Sequence, residues 1–157
     1  MKRVCGECTA CCKSHGVLSI DKEPFSWCSD CTVGVGWKRY ETRPEECKDF
    51  VCMWLLEPAE DESERPDKSG CVISAHLDIL LGDVLTIHEL MPGASDSSRL
   101  AQKSKAWAMA AGLPIWIFRE NARGTVLVPK DFVVTEGVRI YLLSCDVAMH
   151  RYYRLGR

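Results

Sequence analysis

CVISAHLDILLGDVLTIHEL, residues 71–90, holds two runs rich in β-branched and apolar residues, joined through Leu81-Gly82-Asp83. Such runs favour strands, and Gly-Asp between them is a turn signal, so the stretch predicts two paired strands. A lone hairpin is barely stable in water and needs further strands or a helix over one face. SDSSRLAQKSKAWAMAAG, residues 95–112, supplies a helix. Ser95 or Asp96 can cap its start, Gly112 with Pro114 ends it, and Leu100, Trp107, Ala108 and Ala111 fall at helical spacing. PIWIF (114–118), TVLVP (125–129) and VRIYLL (138–143) read as three more strands. The order ββαβββ predicts an α+β fold: a mostly antiparallel sheet with one main covering helix. Cys71 and Cys145 lie in its apolar runs and read as core residues, and His76 and His88 as surface or hydrogen-bonded sheet residues.

Upstream of the sheet the composition changes. Residues 57–70, EPAEDESERPDKSG, are acidic, poor in apolar side chains and carry two prolines. They read as an exposed connector. Residues 1–56 hold few large apolar side chains, and Gly6, Gly16, Gly34, Gly36 and Pro24 point to tight loops. One short helix is expected over residues 44–56, with Pro44 in its first turn and Glu45 and Glu46 beside its N-terminus. The 157 residues suit a single domain, 1–157: segment 1–56, connector 57–70 and α+β portion 71–157.

A segment so poor in apolar residues needs a staple, and its cysteines offer one. Eight of the ten cysteines lie within it: Cys5, Cys8, Cys11, Cys12, Cys28, Cys31, Cys47 and Cys52. Cys5/Cys8, Cys28/Cys31 and Cys47/Cys52 have spacings that let one turn aim two sulfurs at one ion. Thiolates are soft ligands, suited to zinc and to iron–sulfur clusters. Eight would satisfy two four-coordinate sites, or one site with thiols to spare. Cys5-x2-Cys8-x2-Cys11 echoes the start of a ferredoxin run, but Cys12 follows at once and the run does not repeat. Zinc is therefore the expected cofactor, with iron or an iron–sulfur cluster the alternative. Lys2, Arg3, Lys13, Lys38, Arg39, Arg43 and Lys48 lie near the thiols in sequence and are candidate donors to thiolate charge. His15, three residues after Cys12, is a candidate substitute ligand.

CGECTACC, WCSDC and YETRPEECKDFVCMWL together resemble the YkgJ-like cysteine-cluster family of zinc- or iron-chelating proteins. RPDKSG, MPGA and AGLP are similar to its later segments. The resemblance implies a bound metal held by the same eight cysteines, with no settled reaction. A related cluster occurs in flagellin lysine methylases, where iron–sulfur binding is implied. Many relatives carry cysteine where this chain has Trp37.

Other functions find less support. A net charge of −2 gives no basic field for nucleic acid, and no apolar run is long enough to span a bilayer. The N-terminus lacks the apolar core of a secretory signal, which places the expected protein in the cytosol, where thiols stay reduced. WCSDC resembles a thioredoxin turn, but the loop-like TVGVGW after it does not supply the helix that such chemistry needs. No glycine-rich phosphate or dinucleotide fingerprint is present, so methylation rests on family analogy alone. The basic aromatic tail with His150, Arg151, Tyr152, Tyr153, Arg154 and Arg157 could stack on RNA, but packing on the body is the simpler expectation. The expectation is a metal-binding protein, not an enzyme on its own, with a metal ion and an unidentified protein as partners.

Overall fold

The computed structural model describes residues 3–38 and 40–154. Its N-terminal segment is built from short pieces. Helix α1 (Ala10–Ser14) is followed by the two-residue strands β1 (Cys31–Thr32) and β2 (Gly36–Trp37), paired antiparallel with Cys31 opposite Trp37. The single helix expected over residues 44–56 is instead two: α2 (Glu45–Asp49) and α3 (Met53–Leu56). Pro44 is extended and precedes α2 rather than sitting in its first turn. The break at Phe50, also extended, separates two destinations. Phe50 turns its ring to His15, 4.2 Å between centroids, while Trp54 is buried in the main core.

The acidic stretch is more ordered than a tether. It ends in α4 (Pro66–Ser69), closed by Gly70 at φ 76°. Glu60 is buried, and its carboxylate accepts hydrogen bonds from Arg99 Nη2 at 2.8 Å and from Lys103. Glu64 reaches the start of the long helix that follows and accepts from Ser98 Oγ (2.7 Å) and the backbone N–H groups of Arg99 (3.0 Å) and Leu100 (3.1 Å). A carboxylate there pairs helix donors that would otherwise lack partners and suits the positive end of the helix dipole.

The sheet runs in chain order, with β3 (Cys71–Asp78), β4 (Gly82–Glu89), β5 (Ile115–Arg119), β6 (Ala122–Pro129) and β7 (Val147–Tyr152) side by side. The hairpin of residues 71–90 forms as expected, with Cys71 opposite Glu89. The α+β class stands, but the sheet is mixed rather than mostly antiparallel: β4/β5 and β6/β7 are parallel, β3/β4 and β5/β6 antiparallel. Each parallel pair is bridged by a helix crossover, the connection parallel strands require. The first passes through α5 (Ala94–Ser97) and α6 (Arg99–Ala111), the second through α7 (Glu136–Ser144).

α7 corrects the reading of VRIYLL as a strand. Thr135 Oγ1 accepts from Val138 N at 3.2 Å, capping a helix whose buried residues are Val138 and Leu142, four apart. The fifth strand is instead made from the basic tail. Arg151 donates to the Lys130 carbonyl at 2.7 Å, and Tyr152 Oη donates to the Leu113 carbonyl at 2.7 Å, so the tail packs on the body; Arg157 lies outside the described residues. In α6, Ser98 is the cap, accepting from Ala101 N at 3.1 Å. Its buried residues are Leu100, Ala101, Ser104 and Ala108, while Trp107 and Ala111 are exposed.

Period-two alternation assigns the sheet residues to two faces. On one, Cys71, Ile73, Leu85, Ile87, Ile115 and Ile117 pack with α6, Ala10 and Trp54. On the other, Val84, Trp116, Val126 and Val128 pack with Val138 and Leu142 of α7. Cys71 is buried in the first core as expected, and Cys145 is partly buried against the second. Among the described residues, no helix is long and apolar enough to cross a membrane.

Candidate metal centre

Three tight turns shape the cysteine segment. Cys8 N donates to the Cys5 carbonyl (3.0 Å) around Gly6, which has φ 54°. Cys31 N donates to the Cys28 carbonyl (3.1 Å), and Cys12 N to that of Thr9 (3.0 Å). The turns are then tied together: Cys28 N donates to the Cys12 carbonyl at 3.1 Å, and Gly34 N to the buried Thr9 Oγ1 at 3.1 Å. α2 carries Cys47 to the same place, its N–H donating to the Pro44 carbonyl at 3.0 Å.

Cys12 is the hub. Cys11 and Cys31 and the Trp37 indole all act on its thiol, Cys11 raising its affinity for protons and the other two lowering it. Cys5 and Cys47 couple to it electrostatically, and Cys28 couples to Cys31 and Cys47. Six of the eight candidate ligands, Cys5, Cys11, Cys12, Cys28, Cys31 and Cys47, are thereby linked electrostatically. Cys52, buried just before α3, couples to Cys5. Cys8 differs: Asp67 is the charged side chain acting on its thiol, and it packs on the main core. All ten cysteines are free thiols.

Crowding and burial raise the thiols' affinity for protons. The hydrogen bond with Cys11, then burial, pushes Cys12 far up. Burial first, then Cys12, pushes Cys31 up to about 12, and burial pushes Cys8 up to about 11. Burial also raises Cys5, Cys47 and Cys52, with Arg43 acting against it at Cys5 and Cys47. Adjacent thiols resist becoming anions together unless a cation lies among them, and a bound metal ion reverses the balance outright. In the positions they occupy, however, no three or more His, Cys, Asp or Glu side chains among the described residues form a group able to hold an ion.

Of the cations near the thiols in sequence, most are used elsewhere. Arg3 stacks on Trp54 and donates to the carbonyls of Trp54 and Glu57, Lys13 pairs with Glu120, Lys38 donates to the Ser29 carbonyl, and Lys48 pairs with Glu45. Arg43 remains with the cluster, its guanidinium 3.8 Å from the Tyr40 ring centre. Lys2 and Arg39 lie outside the described residues. Lys22, not singled out in the sequence, couples to Cys28, Cys12, Cys47 and Cys11, although its ammonium also donates to the carbonyls of Lys13, His15 and Glu23. No spacing rule marks it; the bridge between Val17 and Lys22 folds it back. His15 stands apart from the thiols, hydrogen-bonded to Ser14 Oγ at 2.6 Å and with its ring against Phe50 and His88. No family model, curated protein or solved structure gives a significant match to this chain.

Proposed function

We propose that the N-terminal segment binds a transition-metal ion, zinc before iron, through thiolates drawn from Cys5, Cys11, Cys12, Cys28, Cys31 and Cys47. What supports this reading is their electrostatic coupling through Cys12 in a segment with little apolar core of its own. The donor set fits a soft ion chemically, and binding draws the sulfurs inward from the positions they hold. Four of the six complete one tetrahedral site with two to spare, and Cys8 and Cys52 stand outside the set. The resemblance to YkgJ-like cysteine clusters supports the same reading.

When bound, the ion supplies charge that stabilises the thiolates and closes the loops around itself. The Trp37 N–H, Arg43 and Lys22 then offset the negative charge of four sulfurs. A four-sulfur site keeps no position for water or substrate, so the reading is of a structural or carrier role rather than hydrolysis. The cytosol, where thiols stay reduced, is the compartment that suits it. An iron–sulfur cluster on the same thiols is the second reading. Metal and sulfide analysis with visible absorption after anaerobic purification separates them: zinc thiolates are colourless and clusters brown.

A further inference from the structure

β3 is an edge strand, with β4 on one side and no strand on the other among the described residues. Two bonds show which way its backbone points. Leu85 N donates to the Pro114 carbonyl, just before β5, at 3.0 Å, and Leu90 N donates to the Gly70 carbonyl at 2.7 Å. Odd-numbered residues of β4 therefore turn their backbone groups to β5, and even-numbered ones to β3. The register pairs even with even, so Ser74 and His76 bond to β4, while the N–H and C=O of Ala75 and Leu77 point away from the sheet. These groups have no backbone partner among the described residues, and both residues are exposed, Leu77 by 75%. An open edge is a template for another strand, and proteins usually blunt it with lysine, proline or a bulge. Residues 71–80 hold no lysine, arginine or proline, and β3 pairs with β4 without a register shift. The opposite edge, β7, carries Arg151 in its exposed stretch.

Beside the β3 edge, on the second sheet face, lies a cavity of about 510 Å³. Ser74, His76 and Asp78 line it, alternate residues on one side of the strand. Ala75 lines it as well, so the cavity reaches round to the edge itself. From the N-terminal segment come Glu46, Asp49, Phe50 and Val51. The lining holds three carboxylates, Glu46, Asp49 and Asp78, and no lysine or arginine. Lys22 does not line it and is held by the carbonyls of Lys13, His15 and Glu23.

We propose that the β3 edge takes an extended segment of another protein as a further strand, with an arginine of that segment in the cavity. The incoming strand exchanges backbone bonds with Ala75 and Leu77. Its residue opposite His76 lies on the cavity side and close by, because that position is not hydrogen-bonded. An arginine there lays its stem along Phe50 and Val51 and brings its guanidinium to the carboxylates. Main-chain bonds give this mode its affinity and the side-chain pocket its selectivity. A second copy of β3 offers no such arginine and would bring two sets of carboxylates together, so charge favours a basic partner. The site is separate from the thiols, and its test does not depend on the metal they hold.

The probe is an acetylated, amidated pentapeptide of sequence TVRVT, whose valines fall opposite Ala75 and Leu77 when its arginine is opposite His76. It is titrated into the full chain by calorimetry and by following backbone amide resonances. The expected result is saturable one-to-one binding that shifts the amides of Ala75 and Leu77 more than those of β6. On the unaltered protein, TVEVT should bind about tenfold more weakly, and TVRVT methylated at both valine nitrogens should not saturate. Glu46→Gln with Asp49→Asn, both exposed, should narrow the preference for TVRVT over TVQVT by about fivefold. Absence of saturation at millimolar TVRVT, unmoved Ala75 and Leu77 amides, equal affinity for TVEVT, or undiminished binding of the methylated peptide would each overturn the proposal. So would a chain that sediments as a dimer and becomes monomeric as Leu77→Pro, since a second copy would then occupy the edge.

Discussion

The backbone N–H of Cys28 donates to the carbonyl of Cys12 at 3.1 Å. That one bond joins two cysteine turns separated by a loop, and it sets the turn of Cys28 and Cys31 beside Cys12. Cys8, by contrast, couples to Asp67. The two positions should therefore respond differently to the same change. Cys12→Ser should abolish stoichiometric metal binding and loosen the N-terminal segment. Cys8→Ser should keep the metal and lose only packing, about 1 kcal/mol. Metal content by mass spectrometry of the native protein, with hydrogen exchange of residues 5–52, reads both.

Metal binding should release protons. Several of the coupled thiols hold their protons above the ordinary thiol range because of burial and one another. Coordination requires the anion, so zinc affinity should rise steeply with pH across the neutral range. Calorimetry in two buffers of different ionisation enthalpy should show protons released with each ion bound. An affinity independent of pH would contradict thiolate coordination.

Gly70 marks the point where the acidic stretch enters the sheet. Its φ is 76°, and a Cβ there would collide with Met91 Cε and stand 2.9 Å from Met91 Cβ. Its carbonyl also accepts from Leu90 N at 2.7 Å. Gly70→Ala should cost about 1–3 kcal/mol from the left-handed backbone alone, read as a lowered urea midpoint at unchanged slope.

His88 links pH to stability on the opposite side of the molecule from α6. Burial, reinforced by His15, His76 and Lys22, holds its pKa well below the ordinary 6.5. A folded value below the unfolded one means that the unfolded chain takes up the proton first as pH falls. The stabilisation is complete above about pH 6.5 and is lost progressively below it. Thermal melting should show this loss, and His88→Phe should flatten the slope between pH 6.5 and 5. An unaltered slope in the variant would remove His88 from the account.

Glu60 acts in the same direction at lower pH. Hydrogen bonding from Lys103, and then from Arg99, holds its carboxyl below the ordinary 4.5. Its contribution is present above that value and disappears as pH falls through the folded pKa. Glu60→Gln should destabilise by about 1–2 kcal/mol at pH 7, with the difference from the wild type shrinking below about pH 4. Paired denaturant titrations at pH 7 and pH 3.5 measure this.

What could be read in the sequence followed from how local each signal was. The hairpin of residues 71–90 and the end of α6 at Gly112 rest on nearest-neighbour chemistry, and both are found in place. VRIYLL failed because a short apolar run fits either period; the deciding sign was the Thr135 cap upstream, which favours a helix. With that helix the tail became a strand, and the sheet became mixed. The cysteine spacings picked out the segment, yet could not separate Cys8 from Cys5, since the same turn presents both and Cys8 is the one that packs on the main core. Lys22 and the cavity beside β3 depend on contacts between distant parts of the chain and left no periodic mark.

Metal content and thermal stability measured on one anaerobically purified sample test the central claim most directly. The account expects about one zinc ion per chain, no visible colour, and a large fall in melting temperature when a chelator strips the ion, reversed by adding zinc back. A chain that arrives metal-free and melts cooperatively at the same temperature with or without zinc, its cysteines all open to thiol reagents while folded, would contradict it.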